Sequence, residues 1–144
     1  MVAAIAAATV GGNATAGTPR CGASTLALSV KNGGGGLGHQ FYLIRLRNKS
    51  RHSCKLGGYP GVSLLNASHR QMGRSAKRDT GFKSHLFTLR PGQTGVAALS
   101  TVSDCAGRKS SFVRVIPPNT RSSLTAKLHA TTCSPTIQPL HKSH

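Results

Sequence analysis

Apolar residues in this chain recur in short alternating runs that end at turn-forming residues. In the clearest run, Tyr42, Ile44 and Leu46 fall on one side. Arg45 and Arg47 fall on the other. Alternation with a period of two is typical of a β-strand with one buried face. No stretch of about ten residues or more shows the period of an amphipathic helix, so the pattern predicts an all-β fold.

About seven such runs are separated by turn residues, which is the spacing of an immunoglobulin-like β-sandwich of antiparallel strands. The predicted strands are 26–30, 41–48, 62–65, 86–89, 96–102, 112–116 and 124–128. Two intervening segments are predicted to be loops. One is the glycine run 33–36, and the other is 66–83, which is rich in basic residues and poor in apolar ones. A chain of 144 residues is long enough for one such domain and too short for two.

The four cysteines allow three pairings. Cys21 precedes the first predicted strand and Cys54 follows the second, so antiparallel neighbours would bring these two residues together. The same relation holds for Cys105, ahead of strand 112–116, and Cys133, beyond strand 124–128. Strand order therefore favours Cys21–Cys54 with Cys105–Cys133. Each bridge would close a loop of about 30 residues and contribute roughly 3–4 kcal/mol.

The N-terminal segment predicts export. An apolar run, 2–10, is followed by the cleavage-type pattern Ala14-Thr15-Ala16. The run is too short for a membrane-spanning helix, which needs ~20 apolar residues. Residues 1–16 are therefore predicted to be a signal peptide or its remnant, and 17–144 a single domain that is secreted or cell-wall-associated. No basic residue precedes the apolar run, so a start upstream of Met1 or a plain Ala-rich tail stays open.

The charge balance predicts an anionic partner. Nineteen Lys and Arg residues face only two acids, Asp79 and Asp104, for a net charge of +17. Such an excess attracts polyanions, although charge alone does not choose among them. Solubility is the alternative explanation of the charge. The candidate polyanion-binding residues are Arg45, Arg47, Lys49, Arg51, Arg70, Arg74, Lys77, Arg78 and Lys83.

No catalytic, cofactor or metal site is predicted. Carboxylate acid–base chemistry usually takes a pair, whereas Asp79 and Asp104 stand singly among basic residues. Ser and His are plentiful, but the sequence has no nucleophile elbow. It has no C-x-x-C or H-x-x-x-H spacing of the kind that zinc sites use.

These features predict a secreted, non-enzymatic protein, monomeric and without a membrane span, that binds anionic cell-envelope or extracellular polymers or lipids. Nucleic-acid binding is the first alternative. Such proteins interleave aromatic with basic residues, and here aromatics are only 4% of the chain and are largely accounted for as core. A hydrolase-type enzyme is the second alternative.

The segment Gly57, Gly58, Tyr59, Pro60 and Gly61 is predicted to be a structural turn. Glycines supply positive φ and Pro60 pre-sets a turn. Gly61 in particular is expected to adopt unusual backbone angles. Tyr59 is expected to pack against the end of the sandwich with its hydroxyl hydrogen-bonded, rather than to recognise a ligand.

Several of these segments together resemble the secreted actinobacterial family known as domain of unknown function 4232. The resemblance covers about residues 20–141, and its most specific part is the C-x-L-x-G-Y-P-G-V pattern from Cys54 to Val62. The other matching segments are Cys21, strand 26–30, Asn48, residues 89–93, Cys105, residues 115–118 and Cys133. The resemblance implies an exported or cell-wall-associated β-sandwich and implies no catalytic residues. The high charge is not a family trait, so the polyanion prediction belongs to this chain alone.

Overall fold

The segment with the clearest alternation forms the second strand of the largest sheet. The structure, a computed structural model, describes residues 17–143. The predicted signal segment 1–16 lies outside the described residues. The strands are β1 (Leu26–Gly36), β2 (His39–Asn48), β3 (Cys54–Gly57), β4 (Gly61–Leu65), β5 (Lys77–Arg78), β6 (Leu86–Leu89), β7 (Thr94–Val102), β8 (Phe112–Ile116), β9 (Leu124–Lys127), β10 (Thr136–Ile137) and β11 (His141–Lys142).

The strands form three sheets. The largest, called the main sheet, has the order β1-β2-β7-β10-β5, with β11 also paired to β7. A second sheet has the order β4-β8-β9, and β3 pairs with β6. All pairs are antiparallel except β5 with β10. The prediction of an all-β sandwich is confirmed, and each of the seven predicted strands has a counterpart.

Buried side chains from the main sheet and the second sheet form one core. Ile44 and Leu99 of the main sheet are fully buried, as are Val113 and Val115 of β8. Along β2, buried residues alternate with more exposed ones, as the sequence predicts for a strand with one buried face. Tyr42 is part of this core, and burial raises the pKa of its phenol above the ordinary value.

The prediction that residues 33–36 form a loop is wrong. These glycines belong to β1, where Gly34, Gly35 and Gly36 pair with the first residues of β2 after a bulge at Gly33. The Asn32 side chain accepts a hydrogen bond from the Gly34 amide at 2.8 Å, and Gly34 has φ +91°. Glycine permits the positive φ of a bulge. Pairing with β2 therefore extends β1 through residues 33–36, although glycine has a low propensity for strands.

The segment 66–83 is largely exposed, as predicted, but it is not an independent loop. Its backbone is bound to both layers of the sandwich. The Met72 amide donates to Leu64 O at 2.7 Å and the Ala76 amide to Val62 O at 2.8 Å. One residue later the chain enters β5, which pairs with β10 of the main sheet. These contacts fix the positions of the segment's basic residues.

The turn that follows β3 requires glycine at Gly57 and Gly58 rather than at Gly61. Gly61 does not have positive φ, so the expectation of unusual backbone angles there is wrong. Gly58 has φ +95°. At Gly57 a Cβ would collide with the His85 carbonyl oxygen and would lie 2.7 Å from Leu86 Cα. The sequence identifies the turn, whereas the close approach of β6 decides which glycine is required.

Two further features anchor the end of the sandwich where β2 finishes. Cys21 pairs with Cys54, and both are nearly inaccessible to solvent. Asn48 is fully buried, and its side-chain amide donates to His52 O at 2.8 Å and Leu89 O at 2.9 Å. Each buried polar atom of this side chain has a partner, as stability requires.

The second disulfide joins Cys105 to Cys133, so both favoured pairings are present. No free cysteine occurs among the described residues. The second bridge lies at the opposite end of the sandwich, where the Val102 amide donates to Cys133 O at 3.1 Å. The antiparallel neighbours that the pairing argument requires, β1 with β2 and β8 with β9, are also observed.

Candidate anion-binding surface

The outer face of the main sheet carries Arg45 and Arg47. Their neighbours along β2, Ile44 and Leu46, are fully buried, so alternation turns both arginines away from the core. Arg47 is exposed and Arg45 is half-buried. Residues directly opposite in neighbouring strands share a face. The small side chains Ala27 and Ser29 of β1 lie opposite the two arginines and leave them accessible.

Lys31 extends this row of cations, although it is not among the polyanion-binding residues predicted from the sequence. It lies two residues beyond Ser29 on β1 and is exposed. It therefore shares the outer face with Arg45 and Arg47. The signal was the alternation itself, which continues to Lys31, one residue past the end of the predicted strand 26–30.

Arg74 and Lys77 line one cleft of about 390 Å³, together with Ser75, Ser134, Pro135 and Thr136. The Lys77 amide donates to Pro135 O at 2.9 Å, and Lys77 lies opposite Thr136 in the β5–β10 pair. The cleft therefore has one wall from the 66–83 segment and one from the chain that enters β10. No acidic residue lines it.

The cleft belongs to the same face as the arginines of β2. Across the main sheet, Thr136 lies opposite Ser100, and Ser100 lies opposite Phe41. Phe41 alternates with the buried Tyr42, as Arg45 does with Ile44. Lys77, Thr136, Phe41 and Arg45 therefore all point outward.

Two more cations belong to a stretch that contacts the segment leading into the cleft, and the sequence did not single them out. Lys109 forms a bridge with Thr131, and the Thr132 hydroxyl donates to Arg108 O at 3.1 Å. The segment 131–136 thus runs between Arg108 and Lys109 on one side and Arg74 and Lys77 on the other. We call these four residues the cationic end.

The other predicted residues do not join the cationic end. The Arg78 guanidinium lies 5.2 Å from the centroid of the Tyr59 ring, a cation–π contact that gives Arg78 a structural role. Lys83 lines a separate cleft of about 250 Å³ with Phe82 and His85. The remaining three are exposed and lie outside the cleft: Lys49 and Arg51 just beyond β2, and Arg70 in the 66–83 segment.

Tyr59 has a complete set of structural contacts. Its ring packs against the core cluster, and its hydroxyl donates to Asp79 O at 2.7 Å. The Asp79 carboxylate in turn accepts a hydrogen bond from the Gly81 amide at 3.0 Å. One of the two acids of the chain is thus engaged in local turn structure and does not line the cleft.

Three further observations concern metal binding, membrane spanning and the redox environment. Within residues 17–143, no group of three or more His, Cys, Asp and Glu residues is arranged to hold a metal ion. In the same range no helix is long and apolar enough to cross a membrane. The two disulfides are typical of an extracellular or otherwise oxidising environment.

Comparison with known proteins gives one match. A family model described as Domain of unknown function (DUF4232) matches residues 21–141. The match contains all eleven strands up to the first residue of β11, both disulfides and the cationic end. No curated protein and no solved structure matches the chain.

Proposed function

The chain belongs to the family described as Domain of unknown function (DUF4232), and we propose that this member is an exported, non-enzymatic protein that binds anionic polymers of the cell envelope. The observation that supports this function best is the cationic end. Arg74 and Lys77 line the cleft, the backbone of Arg108 and Lys109 contacts the segment that leads into it, and the cleft is lined by no acid.

The net positive charge of the whole chain strengthens the attraction of anionic polymers to the cationic end. With 19 Lys and Arg residues and two acids, at most two cations could be neutralised by internal ion pairs. The rest contribute to a positive potential over the surface. Exposed charges act over a Debye length of ~8 Å at physiological ionic strength. A polymer with closely spaced negative charges therefore gains from the cleft and from the outward arginines of β2 together.

Nucleic acid is the second candidate polymer, because two aromatic pairs lie on the outside. One is His39 with Phe41, whose ring centroids are 6.3 Å apart, and the other is His69 with Phe112. The His69 ring stacks on Phe112 with a centroid distance of 4.1 Å. Base stacking on aromatic rings is the usual way in which single strands bind without sequence preference. In this chain, however, the rings of His69 and Phe112 already cover one another, and Phe41 is partly buried. The envelope polymer therefore remains the favoured ligand.

Binding to anionic polymers is expected to weaken steeply as salt rises. At low salt the dissociation constant for a long polyanion should be about micromolar, and log K should fall linearly with log salt concentration. Replacing Arg74→Gln and Lys77→Gln together should weaken binding by about tenfold at low salt and reduce the slope. Isothermal titration with poly(glycerol phosphate), heparin and single-stranded DNA over a salt series measures both quantities.

A matched variant, Lys49→Gln with Arg51→Gln, removes the same charge from exposed positions outside the cleft. It should weaken binding by less than the cleft variant, and both variants should unfold like the original protein because exposed charges contribute little to stability. Tighter binding of DNA than of the other polymers would favour the nucleic-acid function. Absence of binding at low salt, or binding that does not respond to salt, would contradict the proposal.

A further inference from the structure

We propose that the cleft beside β5 is a subsite for a phosphodiester group, so that the polymer bound is phosphate-linked rather than carboxylate-bearing. This inference rests on the proposed function, since it assigns a ligand class to the same surface. Its basis is the combination of two cations with hydroxyl groups from the neighbouring segment that enters β10.

The two walls of the cleft supply different donors. Arg74 and Lys77 come from the 66–83 segment, and Ser134 and Thr136 come from the chain that enters β10. Within residues 17–143 no hydrogen bond engages the Ser134 or Thr136 hydroxyl, whereas the Ser75 hydroxyl lies 3.0 Å from that of Ser63. Ser134 and Thr136 are therefore the two hydroxyls that can donate to a ligand.

The backbone fixes the spacing of these donors. Lys77 and Thr136 are direct neighbours in the β5–β10 pair. The Lys77 amide donates to Pro135 O and the Asp79 amide to Ile137 O, each at 2.9 Å. Ser134 adopts φ +47°, a left-handed conformation that is uncommon outside glycine. A non-glycine residue in that conformation at the wall of a cationic cleft is consistent with a binding role.

Two cations and two unengaged hydroxyls at one cleft suit a tetrahedral oxyanion, which has four oxygens, better than a carboxylate, which has two. A phosphodiester presents two non-bridging oxygens, which share one negative charge, and two ester oxygens, all pointing in different directions, whereas the oxygens of a carboxylate lie in one plane. The arginine fork can bind two phosphate oxygens at once, and the lysine acts as a point charge. The hydroxyls can then donate to the remaining oxygens of the phosphate.

The size of the cleft agrees with a phosphodiester inside a chain. The cleft has a volume of about 390 Å³ and opens to solvent. A phosphate group occupies only part of that space. The remainder accommodates the carbon atoms of the two alcohols that the phosphate joins.

The test uses two polymers of equal charge number, poly(glycerol phosphate) and poly(glutamate), at one low salt concentration. The variant Ser134→Gly with Thr136→Val removes both hydroxyls without a change of charge. Glycine tolerates the φ of Ser134, and valine preserves the shape of Thr136. We expect the original protein to bind the phosphate polymer about fivefold more tightly, and the variant to lose that preference, with its affinity for poly(glutamate) unchanged.

The matched control is Ser123→Gly with Thr125→Val, at exposed positions next to and within β9. It should retain the preference for the phosphate polymer. If the original protein binds both polymers equally, or if the cleft variant keeps the preference, the phosphodiester subsite is overturned while polyanion binding stands. If neither polymer binds, the proposed function fails as well.

Discussion

Replacement of Gly57 by alanine is expected to lower the free energy of unfolding by about 3 kcal/mol or more. The new Cβ would collide with the His85 carbonyl oxygen and lie 2.7 Å from Leu86 Cα. Both obstacles are backbone atoms, so no side-chain rotation can relieve the contact. Gly57 pairs with Leu86, and the two strands must separate to admit the methyl group. Urea unfolding followed by circular dichroism measures the loss.

Gly61→Ala is the matched control within the same turn. A Cβ at Gly61 has its nearest contact at 3.5 Å, with Ile116 Cβ, and its φ is not positive. The free energy of unfolding should change by less than about 1 kcal/mol, and an increase is possible because alanine restricts the unfolded chain. Equal losses for the two variants would show that the approach of β6 to Gly57 is not as close as described.

Removal of the Cys21–Cys54 bridge, by Cys21→Ala with Cys54→Ala, is expected to cost about 4 kcal/mol or more. The bridge closes a loop of 33 residues, which accounts for most of the loss in the chain-entropy model. Both sulfurs also belong to the core cluster, so the double variant leaves a cavity. Urea unfolding of the variant and the original protein gives the difference.

The Cys105–Cys133 bridge provides the comparison. Its separation of 28 residues gives nearly the same entropic contribution, because loop length enters as a logarithm. Both of its cysteines are only partly buried, so its removal should cost about 3 kcal/mol. Dithiothreitol should also reduce this bridge first in the folded protein. Faster reduction of Cys21–Cys54 would contradict its burial.

The sequence was most informative where one face of a strand is buried. Alternation identified β2 and the outward arginines, because Ile44 and Leu46 point into the core and Arg45, which lies between them, must point to the opposite face of the sheet. It failed at β10 and β11, which are two residues long and too short for any periodicity. It also failed at 33–36, where pairing with β2 overrides the low strand propensity of glycine.

The candidate surface could be predicted only in part. Arg74 and Lys77 were chosen for charge and exposure, but their shared cleft depends on the parallel pairing of β5 with β10, which joins distant parts of the chain. Arg108 and Lys109 lie in a segment without periodicity, and a tertiary contact brings them to Thr131 and Thr132, in the segment that leads into the cleft. Arg78 was chosen for its charge, although its position over Tyr59 is structural.

Binding of an anionic polymer at the cationic end is tested most directly by NMR, in which changes of amide chemical shift identify the residues that the polymer contacts. During titration with poly(glycerol phosphate) at low salt, saturable shifts should concentrate in 73–78, 108–109 and 131–136, with smaller changes around Arg45 and Arg47. They should disappear when salt is raised. Shifts that centre instead on the β3–β6 pair or on Lys49 and Arg51, or no saturable shift at all, would contradict binding at the cationic end.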